Sequence, residues 1–551
     1  MPNYTNSVWS ETPPAVPHGA LDGDIETDVA IIGAGITGVT AARLLELGGR
    51  KVALLESRRI GKGETIKTTA HLTEVPDVRM HRLISRFGEG GARLAVRGQR
   101  AAIDRIEAFV NELRIDCQFE RVPAYLYAET AAQEKVVRDE EEAAQHLGLA
   151  ASRADAVPLP FPIRRAIRFR DQAQFHPRAY LLALAAGIDG NGSHVFEQTH
   201  VTGVEERGDR CVVVTDRGSI VARDVIIAAH VPIANKLFSH TKLAAYRTYV
   251  IGAAVPMPPS PGLYWDTAQP YHYLRGHVVD GVPYLIVGGE DHKVGDLEDT
   301  TLPFQRLEAY LKNRFGRTLA ATDLRWSGQI IEPADGLPYI GRNAASSHVY
   351  IATGYSGNGL TQGTLAAMIL ADQIQGVANP WSKLYDATRF KPLASAQAFV
   401  SENVDFPRHL LTDRLPAAND AGDIESLPAG EGVVANVGGN KLAVYRSGAG
   451  ELSALSPVCT HLGCLVHWNT TEKSWDCPCH GSRFDPLGRV LNGPATASLE
   501  PRALSATPPK PAAGRTTKPA AHDRRPAAGR TTKPAAGDRR PAAGPTKARG
   551  G

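Results

Sequence analysis

Nowhere in this sequence do apolar residues run for the ~18 consecutive positions that a membrane-spanning helix needs. The first stretch, MPNYTNSVWSETPPAVPHGALDGD, lacks both a positive start and an apolar core, so no signal peptide is expected and the protein reads as soluble and cytoplasmic. An excess of one charge is missing too. The 61 Lys and Arg stand against 58 Asp and Glu, a net of +3, which excludes a chain that coats nucleic acid or a membrane surface by bulk charge. Cysteine is scarce: six in 551 residues make no disulfide scaffold, yet four of them, Cys459, Cys464, Cys477 and Cys479, crowd together near the C-terminus as in a metal centre.

What is present, 43% hydrophobic and 22% charged residues, is the composition of a folded chain with room for several cores. At ~150 residues per domain it suggests three or four units. Residues 1–26 form an N-terminal extension. From 27 to 386, strand-like apolar runs alternate with helical periodicity, as in an α/β domain. A looser stretch, 387–421, reads as a linker, and 422–505 is rich in Gly, β-formers and turn signals, as in a small antiparallel β domain. Beyond it, RTTKPAAHDRRPAAG at 515–529 recurs almost unchanged at 530–544. This 506–551 tail has almost no large apolar residues and should be disordered. From Thr507 onward it carries 11 basic and 2 acidic residues, leaving the body mildly acidic. It reads as a solubilising extension first and as a basic arm for nucleic acid or acidic partners second.

Two local patterns carry chemistry. In the first, the strand-like DVAII (28–32) runs into Gly33-Ala34-Gly35-Ile36-Thr37-Gly38, then a helical period, then KVALLE ending at Glu56. That is the order of a Rossmann unit. Gly33 permits the tight turn, Gly35 lets the backbone approach a pyrophosphate, and Gly38 lets helix and strand pack closely. Bare N–H groups at the helix start stabilise the phosphates. Glu56 is placed for ribose hydroxyls. The motif alone does not separate FAD from NAD. No second cradle of this form follows, which argues against reduction by NAD(P)H and for a small organic donor.

The stretch from Glu56 through Gly61, Gly63, Thr65, Lys67, Thr68, Thr69 and Ala70 to His71 resembles the second FAD-contacting segment of the D-amino-acid-oxidase/glycine-oxidase family. ARDVIIAAHVPI (222–233) is similar to that family's returning Rossmann strand. Trp326-Ser-Gly-Gln329, Asp335-Gly-Leu-Pro338-Tyr-Ile-Gly341 and Ala352-Thr-Gly354-Tyr-Ser-Gly357-Asn-Gly359-Leu360-Thr361 resemble its closing segments. The resemblance covers roughly 27–385. It implies bound FAD, a substrate subdomain of antiparallel sheet interleaved at about 90–180 and 240–325, and a closing turn facing the flavin's pyrimidine edge. There the N-terminus of a helix over Leu360–Ile374 would stabilise the charge of reduced flavin.

The second pattern is Cys459-Thr-His461-Leu-Gly-Cys464, twelve residues, then Cys477-Pro-Cys479-His480-Gly-Ser482. Each loop offers one thiolate and one imidazole, Cys459 with His461 and Cys477 with His480, a set suited to a [2Fe–2S] cluster with two sulfur and two histidine ligands. A structural Cys₂His₂ zinc site uses similar ligand types. The loops resemble those of Rieske proteins of the respiratory-complex type. That resemblance implies a disulfide between Cys464 and Cys479, a Ser482 hydroxyl bonded to a cluster sulfide, and a covering proline loop at Gly493-Pro494. Phe484 stands where a Tyr usually donates to a ligand sulfur, which implies a lower potential than in respiratory relatives.

On the substrate side, Tyr273 and Arg275 alternate onto one face of a strand. In the resembled oxidases an Arg and a Tyr commonly hold a substrate carboxylate; a surface Arg with a satisfied Tyr is the other reading. His71 reads as a group bonding flavin oxygens or backbone, or as a base. Together these features predict an FAD-dependent dehydrogenase of small amines or amino-acid-like molecules. It would pass electrons singly through a Rieske cluster, from an exposed histidine edge, to an external protein or quinone-like acceptor. A reductase fed by an outside reductant and a non-enzymatic redox sensor are the alternatives.

Overall fold

A computed structural model describes residues 6–233, 242–257, 260–297, 299–316, 322–389 and 422–504. The repeat tail, and the linker from 390 to 421, lie outside the described residues. No helix among the described residues is long and apolar enough to cross a membrane.

The strand at Ile25–Ile32 sits at the centre of an eight-stranded sheet, parallel to Val52–Leu55 on one side and Ser219–Ile227 on the other, with Val349–Thr353 beyond. These strands are apolar along nearly their whole length because helices cover the sheet. The covering helix Ile36–Leu47 buries Val39, Ala42 and Leu45, and the helix Gly359–Gln375 buries Leu365, Ile369 and Leu370. The predicted Rossmann unit and its returning strand are therefore present.

A nine-stranded, mostly antiparallel sheet forms the second layer. It runs from Thr322–Pro333 through Leu243–Ala254, Val282–Lys293, His272–Val279 and Leu263–Asp266 to Glu120–Ala128, Arg165–Gln174 and His71–Leu72. It reaches past both ends of the interleaved segments expected from sequence, starting at His71 and ending at Pro333.

Residues 432–502 build two small antiparallel sheets. Gly432–Val437 and Asn440–Arg446 form a hairpin whose two-residue turn, Gly438-Gly439, has both φ angles positive (59° and 85°), which glycine alone adopts without strain. Trp475, Phe484 and Val466 fill the space between the sheets. The Cys477–Ser482 loop leaves this frame on the side that meets the second layer.

Candidate functional site

A cavity of about 710 Å³ lies between the Rossmann sheet and the antiparallel sheet. That volume suits a bound organic cofactor or ligand. Its wall includes Gly33, Gly35 and Glu56, an aromatic cluster in which the His71 ring lies 6.4 Å from Trp265 and 6.0 Å from Tyr273, with Tyr271 beside Tyr273, and Thr68, Thr69, Tyr355, Gly357, Gly359 and Leu360. Gly33 has φ +100°, and a side chain on it would meet the Ala228 carbonyl at 2.6 Å. The helix Ile36–Leu47 starts after Gly35, which has no side chain to cap it, and has no acidic residue in its first turn, so beyond the Ile36 N–H, which Thr65 takes, its first-turn N–H groups are available to a phosphate. Glu56 accepts hydrogen bonds from the Ala34 N–H (3.1 Å) and the Arg58 N–H (3.0 Å), which fixes its carboxylate at the cavity edge. Thr65 accepts from the Ile36 N–H (3.1 Å), and the Thr37 and Tyr355 hydroxyls, 2.9 Å apart, tie the first helix to the closing turn. These residues fit a dinucleotide.

Five of the expected residues do not reach the cavity wall. Gly38 lies one layer behind it, where a Cβ would sit 1.9 Å from the Gly33 carbonyl oxygen. Ala70, with φ +60°, is the turn residue held from behind. Gly354 packs near Pro333 and Leu243, and Thr361 turns its hydroxyl onto the Asn358 carbonyl of its own helix. Arg275 is the largest departure. It is fully buried and donates to the carbonyls of Thr69 (3.3 Å), Ala70 (2.8 Å), Phe175 (3.4 Å) and Gly276 (3.2 Å), and to Nδ1 of His277 (2.7 Å). Its strand does place Tyr273 and Arg275 on one face, but the segment 68–70 covers the face before Arg275 is reached. The pairing that alternation implied is therefore split: Tyr273 faces the cavity, its hydroxyl 2.6 Å from that of Thr248, and the guanidinium does not.

His71 does line the cavity. Burial, assisted by the positive charge of Arg275, pulls its pKa down to about 3, so it is neutral near pH 7. Nδ1 lies 2.8 Å from the Thr69 hydroxyl, while Nε2 is buried without a hydrogen-bond partner. A neutral imidazole has one ring nitrogen to donate and one to accept, and the lowered pKa makes it a weak base.

The two cysteine loops repeat one local geometry. The Cys459 N–H donates to the Cys464 carbonyl and the Cys477 N–H to the Ser482 carbonyl, each at 2.8 Å. Gly463 and Gly481, both at positive φ, close the turns by donating back to the carbonyls of Cys459 and Cys477. The loops thereby bring the Cys459 and Cys477 thiols into mutual hydrogen-bond contact, which pushes Cys459 down to about 7 and Cys477 up. The rings of His461 and His480 lie 5.0 Å apart. Cys464 and Cys479 are joined by a disulfide, so their sulfurs, although near that of Cys477, are not free to bind iron. The Ser482 hydroxyl bonds toward Cys459 and accepts from the Ala495 N–H (3.1 Å), beside the proline loop. Two thiols and two imidazoles converge, as a [2Fe–2S] centre requires.

Phe484 is fully buried in this core and offers no donor. Phe484→Tyr is expected to raise the cluster potential by about 40 mV, the one-electron equivalent of a hydrogen bond of ~1 kcal/mol. EPR-monitored redox titration checks it.

Of the two expected histidines, His461 is only 7% exposed, while His480 is half-buried and its loop packs on the oxidoreductase domain. Gln329 donates from Nε2 to the Gly481 carbonyl (2.7 Å), and Pro478 sits against Gly295. Asn492 donates to Glu64 (2.8 Å), which also accepts from the Gln329 N–H (2.8 Å). Burial alone would raise the Glu64 carboxyl, but His230, Arg247 and these bonds hold it below the usual range. At the centre Glu472 accepts from Arg247, Ser327 and Arg483, all buried. Val490, Leu491, Asn492, Gly493, Ala495 and Thr496 complete the cavity wall. Sequence reasoning missed all these docking contacts.

Residues 28–373 match the family described as FAD dependent oxidoreductase, and 418–504 match the Rieske [2Fe-2S] domain. A protein of Bacillus subtilis (strain 168), named as the Rieske 2Fe-2S iron-sulfur protein YhfW, is 32% identical over 498 residues, 90% of this chain and 97% of that protein. A cytochrome b6-f complex iron-sulfur subunit from Synechococcus sp. (strain JA-2-3B'a(2-13)) is 41% identical over 92 residues, 17% of this chain and 44% of that one. Among solved structures, glycine oxidase from Geobacillus kaustophilus superposes with a TM-score of 0.57 at 18% identity, covering 66% of this chain and 99% of that chain. L-proline dehydrogenase from P. horikoshii gives 0.56 at 19% identity, covering 67% and 98%. At such identities the two structures speak to the fold.

Proposed function

This chain belongs to the FAD-dependent oxidoreductase family and carries a Rieske [2Fe–2S] domain, and on that premise we propose that it dehydrogenates a small amine or amino-acid-like substrate and passes the electrons, one at a time, through the cluster to an external acceptor. Bound FAD supplies two-electron hydride acceptance, and the bound cluster supplies single-electron carriage.

The chain's own residues divide the remaining work. Gly33, Gly35 and the N-terminus of the helix Ile36–Leu47 hold the pyrophosphate, with Gly38 behind them setting the helix close to the strand, and Glu56 holds the ribose. Thr68, Thr69, Gly357, Gly359 and Leu360 surround the ring end, with Ala70, Gly354 and Thr361 shaping the turns behind. Cys459, His461, Cys477 and His480 hold the iron. Tyr273 and Thr248 orient the substrate, and His71 serves as a neutral hydrogen-bonding group. The names glycine oxidase and L-proline dehydrogenase, borne by structures of the same fold, support an amino-acid-like substrate.

One contact carries this reading. Gln329 stands in the cavity wall, and its side chain bonds the carbonyl of Gly481, the residue next to His480. A relay needs its two redox sites adjacent, and a dedicated hydrogen bond from one site's wall to the other's ligand loop serves that need. Anaerobic mixing of the holoprotein with amines, amino acids and hydroxy acids should bleach the flavin with one of them and then reduce the cluster in the same molecule. A flavin that bleaches while the cluster never reduces would defeat the relay. Prompt bleaching by NADH would favour the reverse direction.

A further inference from the structure

Arg275 is the one residue that the sequence assigns to substrate and the structure removes from it. A guanidinium has five N–H donors, and here every acceptor they reach is neutral: four main-chain carbonyls and one imidazole. No carboxylate pairs with it among the described residues. Glu120 acts on it only through space, and burial lowers its pKa to about 9, which leaves it protonated at neutral pH. The imidazoles around it carry no compensating or competing charge. Burial, aided by the charge of Arg275 itself, pulls His277 down to about 2, and burial pulls His176 down to about 4. The far side is sealed by Trp9, whose ring lies 5.6 Å from the guanidinium and whose indole N–H donates to the Thr68 carbonyl (2.8 Å). A buried, unpaired charge is expensive, and neighbours such as Thr69 lie in the cavity wall.

Gly33, Gly35 and Glu56 take the phosphates and ribose, so the aromatic part of the wall, Trp265, Tyr271 and Tyr273 around His71, takes the redox ring. We propose that Arg275 serves the flavin rather than the substrate: a positioning residue that fixes the Thr69–Ala70 turn and sets a positive charge behind the ring end of the cavity, favouring the electron-rich reduced flavin. The inference rests on FAD occupying this cavity as proposed above. A chain that must hold electrons on its flavin until a one-electron cluster can take them gains from such a charge.

His277 gives a test that leaves Arg275 and its carbonyl bonds in place. His277→Asp sets a carboxylate beside the guanidinium, where it ionises and cancels the charge, while His277→Asn is its neutral counterpart. Holoprotein is equilibrated anaerobically with a reference redox dye, and the reduced-to-oxidised flavin ratio is read at a fixed dye poise. His277→Asp should lower that ratio about tenfold, the scale of one charge acting at an effective dielectric constant near 20, and His277→Asn should stay within about twofold. Equal ratios for the Asp and Asn variants would overturn the proposal. Wild-type protein purified without flavin absorbance would instead overturn the FAD reading beneath it.

Discussion

Glu472→Leu is expected to destabilise the docked Rieske domain by about 3–5 kcal/mol, because it strands the buried guanidinium of Arg247, which shares this carboxylate with Arg483. Arg247 is 3% exposed, and its Nε and Nη1 already lack partners; Glu472 and the Ser327 hydroxyl are what its remaining nitrogen holds. Arg483 keeps Asp476 (2.9 Å) and Ser474 (2.7 Å) after the change, so the Rieske domain itself should stay folded. Arg247 keeps no hydrogen-bonded anion, only the through-space charges of Glu64 and Asp476. The loss therefore falls on the junction between domains. Calorimetry should show the unfolding transition shifted down and split, and anaerobic substrate should still bleach the flavin while reduction of the cluster slows. The double variant Arg247→Met/Glu472→Leu should recover much of the loss, since replacing both members of a buried pair by apolar groups is close to neutral. An unshifted transition with normal cluster reduction would show that docking rests elsewhere, on Gln329 and Asn492.

The contrast between what was legible in the sequence and what was not follows the range of the interactions. The Rossmann cradle is spelled out within a few turns of chain, since Gly33, Gly35 and Gly38 act on backbone that is adjacent to them in sequence. The cluster loops are likewise local: each has one cysteine, one histidine and a positive-φ glycine within a single turn, Gly463 in one and Gly481 in the other. Arg275 misled because alternation along a strand fixes the face a side chain takes and says nothing of where a covering segment ends; the 68–70 turn crosses between it and Tyr273. Thr361 sits inside a motif whose glycines matter to the wall, yet its own hydroxyl closes a helical turn. The Trp9 indole reaches Thr68 across 59 positions and Arg247 reaches Glu472 across 225. Neither leaves a periodic trace, so an extension that reads as featureless turns out to back the cofactor segment.

Gly38→Val tests the cradle where the steric margin is least. The added Cβ would stand 1.9 Å from the Gly33 oxygen and 3.1 Å from its carbon, both backbone atoms that no rotamer change can move aside. Either the Gly33–Gly35 loop or the start of the helix Ile36–Leu47 must shift, and both shape the phosphate end of the cavity. Strain of this kind costs ~1–3 kcal/mol, which lowers FAD affinity by about one to two orders of magnitude if it falls on the bound state. The purified variant should accordingly lose its yellow flavin component while keeping the cluster, whose four ligands and core depend on 432–502 alone. Dithionite should still reduce that cluster, and substrate should not. Gly90→Ala makes a control, because its Cβ would meet nothing within 4 Å. Full flavin content in Gly38→Val would mean that the helix can retreat from the strand without harm, and the close approach would lose its claim to hold the cofactor.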